Sequence, residues 1–135
     1  MNLHLSPTLH TPEILFQAEK HLLILRGSCF PENSIEFFRP LWEFLKEHKE
    51  ALTKSPLQIH VELSYINSSS QRELYQFLHD FLQLGGKIQM TIYQGEGEDE
   101  LEDLRYVVFG LERLPGIEIY HQKGYYEEGS SLSIS

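Results

Sequence analysis

Basic residues are scarce in this chain. Eleven lysines and arginines stand against twenty aspartates and glutamates, a formal net charge of −9 over 135 residues. Without a cationic excess to neutralise phosphates, nucleic acid is excluded as a main partner. Anionic membrane surfaces are disfavoured for the same reason. Cysteine is scarcer still, with Cys29 alone. One thiol can neither close an internal disulfide nor build a cysteine zinc site, and a reducing cytoplasm is the natural setting. No apolar run approaches the roughly 20 residues that span a bilayer, so membrane insertion is not expected. The first residues, M-N-L-H-L-S-P-T, lack the basic segment and apolar core of a signal peptide. What the chain does have is 41% apolar and 12% aromatic residues. That suffices for the packed core of one domain. The domain is expected over residues 1–123, with the Gly- and Ser-containing residues 124–135 as a flexible tail. An acidic, soluble surface of this kind suits protein partners.

Periodicity assigns the elements. Residues 1–12 are polar, contain Pro7 and Pro12, and read as an extended lead-in. Ile14–Ala18 and His21–Arg26 read as a hairpin of two strands with a turn at Glu19-Lys20, and Gly27 ends the second. Asn33, with Glu36 three places on, resembles a capping box and opens a helix. Phe38, Leu41, Trp42 and Leu45 form its apolar stripe, widened by Phe37 and Phe44. Pro56 closes the connection that follows. From Leu57 to Tyr65 the odd positions are apolar or aromatic, while Gln58, His60, Glu62 and Ser64 alternate with them. This pattern predicts a strand with one buried and one polar face. Leu74, Phe77, Leu78, Phe81 and Leu82 mark a second helix, ended by Gly85-Gly86. Lys87–Tyr93 is a strand, Leu101, Leu104, Val108 and Leu111 mark a third helix, and Ile117–His121 is a last strand. The order is ββαβαβαβ. Strands alternating with helices imply crossovers and a mixed, partly parallel α/β sheet. A doubly wound sheet would make its central strands apolar on both faces, so helices are expected mainly on one face.

Few residues combine into chemistry. His60 and Glu62 share a strand face, but a polar face accounts for both. The acidic run at 96–103 (Glu96, Glu98, Asp99, Glu100, Glu102, Asp103) lacks a calcium-loop pattern, and carboxylates ahead of a helix favour its dipole. No metal or cofactor site is expected. No G-x-S-x-G elbow or phosphate-binding glycine loop is present. Cys29, ahead of a proline and a helix start, reads as a small structural residue.

The segment Tyr65–Glu73, Y-I-N-S-S-S-Q-R-E, stands out. Ser70 and Glu73 have the spacing of a capping box, and Asn67 suits the turn. Ser68 and Ser69 are then unassigned, just before a helix N-terminus where free N–H groups and the dipole favour an anion. A phosphoryl group on Ser68 would add roughly −1.5 to −2 charges there.

Two motifs together resemble the SiaC family of bacterial regulatory phosphoproteins. Gly27-Ser28-Cys29-Phe30-Pro31-Glu32-Asn33-Ser34 is similar to the family's Gly-x-x-Tyr-Pro-Glu-Asn-Ser, with Phe30 in place of the tyrosine. Tyr65-Ile66-Asn67-Ser68-Ser69-Ser70 is similar to its Tyr-Leu-Asn-Thr-Ser-Ser. The resemblance implies a STAS-like fold and a non-enzymatic switch with no catalytic residues. It implies phosphorylation of Ser68, with Ser69 as fallback, by a serine/threonine kinase and removal by a PP2C-type phosphatase. The unmodified form would bind a target, in family members a diguanylate cyclase that governs biofilm formation. Pro31, Glu32, Asn33, Ser34, Asn67 and Ser69 are the candidate partner-binding residues, Glu32 as an acidic neighbour. Two other readings start from the same residues. A constitutive scaffold would bind through the exposed sheet face, and a small enzyme would use Ser68 or Cys29 as nucleophile with a base in reach.

Overall fold

The alternating stretch that begins at Leu57 lies inside a six-stranded sheet. The computed structural model describes residues 2–94 and 110–126. Its elements are β1 (Asn2–Leu5), β2 (Glu13–Gln17), β3 (Leu22–Cys29), α1 (Ser34–Leu52), β4 (Leu57–Ile66), α2 (Ser68–Gln83), β5 (Ile88–Gln94) and β6 (Ile117–Lys123). The strands lie side by side in chain order, β1-β2-β3-β4-β5-β6. The first three are antiparallel to one another, and β3 through β6 are parallel. Parallel neighbours need crossovers, and crossovers are right-handed. Because the order does not reverse from β3 through β5, that single hand puts the two described crossover helices, α1 and α2, on the same face. The mixed sheet with helices on one face is therefore as expected. The order also lacks a reversal of winding, the place where open α/β sheets form a ligand crevice.

The core fills the space between the helices and this face. Phe38, Leu41, Phe44 and Leu45 of α1 and Leu74, Phe77, Leu78 and Phe81 of α2 are buried against Phe16, Leu23, Leu25, Ile59, Val61, Ile88 and Met90 of the sheet. Phe16 is central, its ring 4.7 Å from that of Phe44 and 6.2 Å from that of Phe77.

Several elements depart from the sequence reading. The lead-in contains a strand, β1, which pairs with β2 from Asn2↔Gln17 to Leu5↔Ile14. Leu3 and Leu5 pack against the core, and two apolar residues are too few to announce a strand amid polar ones. Gly27 does not end β3. It takes φ +124 and sits at a register shift, after which Ser28 and Cys29 pair with Tyr65 and Ile66. A glycine at a bulge keeps the strand going where a side chain would be strained. Tyr65 does not point into the core; it is half-exposed, edge-on to Phe30 at 5.7 Å. The third helix and the acidic run 96–103 lie outside the described residues, apart from Leu111, which is buried in the core.

Candidate functional site

Two helices start side by side because two parallel strands end side by side. Cys29 of β3 pairs with Ile66 of β4 at the carboxyl edge of the sheet. The chain after Cys29 passes through Phe30–Asn33 into α1, and the chain after Ile66 enters α2 at once. Asn67 ties the two connections together: its N–H donates to the Cys29 carbonyl at 2.9 Å, and its side-chain amide to the Pro31 carbonyl at 3.5 Å.

Both helices are capped by asparagine. The Asn33 carboxamide accepts from the Glu36 N–H at 3.1 Å. Glu36 does not reach back to close a capping box; its carboxylate meets Arg39 at 2.6 Å on the surface. The Asn67 carboxamide accepts from the Ser70 N–H at 3.0 Å. The capping box expected at Ser70 and Glu73 is thus absent, and α2 starts two residues earlier. Asparagine is as good a cap as serine, and it stands where the strand ends. Ser68, Ser69 and Ser70 therefore occupy the first three helical positions.

The three serines have three different surroundings. Ser70 is fully buried, its hydroxyl 3.0 Å from that of Ser34. Ser69 is half-buried and lies 2.6 Å from the same Ser34 hydroxyl, with a longer contact to the Asn67 carboxamide. Ser34 thus bridges the starts of α1 and α2. Ser68 is exposed. Its hydroxyl stands at the N-terminus of a helix whose first turn carries no acidic residue, whereas α1 has Glu36 in its first turn. The amides and dipole of α2 favour an anion at that position, and its own first turn supplies none.

The other candidates gather at this edge. Glu32 and Asn33 are exposed, Asn67 is half-buried, and Pro31 and Ser34 are buried. In this conformation Pro31 and Ser34 shape the site from within, while Glu32 and Asn33 face solvent. The sequence reading missed Phe30 and Tyr65 as a unit. Their edge-to-face pair is extended by His10, whose ring lies 4.8 Å from Phe30. An aromatic closing an otherwise buried strand face was the only signal, and it resembled core. With Ile35, which is 63% exposed, Tyr65 gives the edge an apolar margin.

Cys29 has the environment of a packing residue. Burial pushes its thiol up to about 11, against a smaller opposing effect of a hydrogen bond with Ser70. At neutral pH it is a thiol and a poor nucleophile. Folded protein is expected to resist iodoacetamide at pH 7.5 and to react at once in denaturant; equal rates would show that Cys29 is accessible. Among the described residues no imidazole or carboxylate is hydrogen-bonded to Ser34, Ser69 or Ser70, and no cluster of His, Cys, Asp and Glu is arranged to hold a metal ion. No described helix is long and apolar enough to cross a membrane.

Residues 5–106 match the model of the SiaC family of regulatory phosphoproteins. This chain belongs to that family. No curated protein matches it in sequence, but solved structures do in fold. SiaC of Pseudomonas aeruginosa is 21% identical with a TM-score of 0.70, the match covering 90% of this chain and 96% of that one. A second structure, apo-SiaC from the same organism, gives 20% and 0.69, covering 90% and 98%. A third is the diguanylate cyclase SiaD in complex with its activator SiaC, also from Pseudomonas aeruginosa. It gives 22% identity and a TM-score of 0.67, covering 90% of this chain and 98% of that one. The family match includes both serine-bearing helix starts, so the site described above lies inside the part of the chain that defines the family.

Proposed function

We propose that this protein is a phosphorylation-controlled switch that does no chemistry of its own. A serine/threonine kinase phosphorylates Ser68, and a PP2C-type phosphatase restores the hydroxyl. The unmodified form binds and regulates a target, with a diguanylate cyclase as the leading candidate. The SiaC structure that resembles this chain was solved as the activator in a complex with such a cyclase.

One observation carries the assignment within the serine run. Ser69 and Ser70 are hydrogen-bonded to Ser34, while Ser68 is the exposed hydroxyl at the first position of α2. A kinase can reach Ser68 without unwinding the helix start. The dianion formed there meets the free amides and positive end of α2. Arg72 lies four residues on, one helical turn away, and is exposed with no ion-pair partner among the described residues. It stands where an i,i+4 pair with the phosphate can form. The modification therefore leaves the fold in place and changes what a partner meets. Glu32 on the neighbouring connection adds to the negative field of the modified edge.

The test is phosphate incorporation by the cognate kinase into the wild type, Ser68→Ala and Ser69→Ala, with the site mapped by mass spectrometry. Labelling is expected to vanish in Ser68→Ala and persist in Ser69→Ala. Undiminished labelling of Ser68→Ala would sink the assignment.

A further inference from the structure

The sheet face away from the helices carries its own small core. After β6, Gly124 takes φ +99 and donates its N–H to the Gln94 carbonyl at 2.7 Å. The chain then turns back across the sheet, and Tyr126 comes to rest only 4% exposed, packed with Leu22, Ile24 and Tyr93. Its ring centre lies 4.6 Å from that of His60 and 5.9 Å from that of Tyr93. The Arg26 guanidinium stands 5.6 Å over the same ring. The Tyr126 N–H donates to the Glu62 carboxylate at 2.8 Å. So the first residues of the segment 124–135 are strapped onto the polar face of β4, and His60, expected there as a solvated residue, is 5% exposed.

We propose that Gly124–Tyr126 form a latch over His60, closed on the neutral imidazole and opened by its protonation. His60 sits at the centre of the contact. Its Nδ1 is 2.8 Å from the Tyr93 hydroxyl. In an imidazolium both ring nitrogens donate, so that hydroxyl is restricted to accepting. A cation sealed beneath Tyr126 also loses hydration that the open state returns to it.

Among the described residues the surrounding charges are few. On β3, Arg26 adds a positive charge to the same cluster, itself held by Glu13 of β2 at 3.1 Å, which also meets His4 of β1 at 2.9 Å. On β4, Glu62 is the nearby anion, and one of its oxygens is engaged by the Tyr126 amide. On β5 the facing group is Tyr93. On β6, Glu118 and Tyr120 are bonded to one another at 2.8 Å, with two strands' spacing between them and β4. Among the described residues the buried Tyr126 hydroxyl has no hydrogen-bond partner, which leaves the closed latch poised rather than locked.

Burial holds the His60 imidazole below its ordinary value of 6.5. A group whose pKa is lower in the closed state stabilises that state fully above its free value, and the stabilisation is lost as pH falls through the closed-state value. The latch is therefore closed at pH 7.5 and opens as acidification carries the pH below the ordinary imidazole value of 6.5 and through the lower closed-state value. Each unit of depression contributed by the latch is about a tenfold change in its closing equilibrium between the two protonation states.

Amide exchange followed by NMR on the full chain tests this directly. The protection factor of the Tyr126 amide is expected to fall severalfold between pH 7.5 and 5.5, while the amides of Ile59 and Val61 in β4 hold theirs. In His60→Gln the fall should vanish and in Glu62→Gln it should remain. By reciprocity, the His60 ring in Tyr126→Ala should titrate closer to 6.5 than in wild type. A pH-independent Tyr126 amide in wild type, an equal fall in His60→Gln, or a His60 titration unmoved by Tyr126→Ala would each overturn the latch.

Discussion

Phosphorylating Ser68 is expected to weaken binding of the regulated target by about a hundredfold or more, with no loss of folded structure. The unmodified edge is mixed in character. Ile35 and Tyr65 expose apolar surface, and Glu32 stands in solvent beside them. A partner that covers this margin must dehydrate whatever Ser68 carries. A hydroxyl is dehydrated cheaply, whereas a phosphoryl group brings roughly −1.5 to −2 charges. Burying it against an acidic or apolar partner surface costs several kcal/mol, and about 2.7 kcal/mol is already a hundredfold in Kd. Ser68→Asp brings one charge rather than nearly two and lacks the phosphate's third oxygen, so its effect should be smaller but in the same direction. Calorimetric titration of the target with the unmodified, phosphorylated and Ser68→Asp forms measures all three. Equal affinities would favour the constitutive scaffold that binds elsewhere on the surface.

Phe77→Ala should remove about 3–5 kcal/mol of folding stability. Phe77 is fully buried where α2 meets both the sheet and α1. Its ring meets Phe16 edge-on and stands 5.6 Å from Trp42 of α1 at 78°. Truncation forfeits the transfer free energy of the ring and leaves a space lined by aromatic residues anchored on separate elements, which cannot all collapse into it. Against a total stability of roughly 5–15 kcal/mol, that is a large fraction. The melting temperature should fall by roughly 10 °C or more. Urea unfolding followed by circular dichroism checks it; a loss under about 1 kcal/mol would mean that α2 packs less tightly on the sheet than described.

The main elements were readable because their periodicity is strong. β4 alternates, and Leu74, Phe77, Leu78 and Phe81 fall on one helical face whether the helix starts at Ser68 or Ser70. That same tolerance is why the start of α2 was misplaced: the stripe fixes which way a helix faces, and caps fix where it begins. The sequence reading puts Asn67 in the turn and the cap at Ser70, whereas the end of β4 at Ile66 makes Asn67 itself the cap. The helices' common face followed from the polar positions of β4. What covers part of the other face did not, because Tyr126 reaches His60 across 66 residues of chain and leaves no local pattern. The run Leu22–Leu25, apolar on both faces of β3, was the one hint that both sides of the sheet are occupied there. Individual site residues were visible as motifs. Their meeting was not, since the contact of Ser34 with Ser69 depends on the parallel register of β3 on β4.

The most direct measurement of the central claim is phosphosite mapping on the protein purified from its native cells. Peptides spanning Tyr65–Glu73 should carry one phosphoryl group, with fragment ions placing it on Ser68 and leaving Ser69 and Ser70 unmodified. A phosphate on Ser69, on Ser70 or at a different segment, or none under any growth condition, would contradict the account.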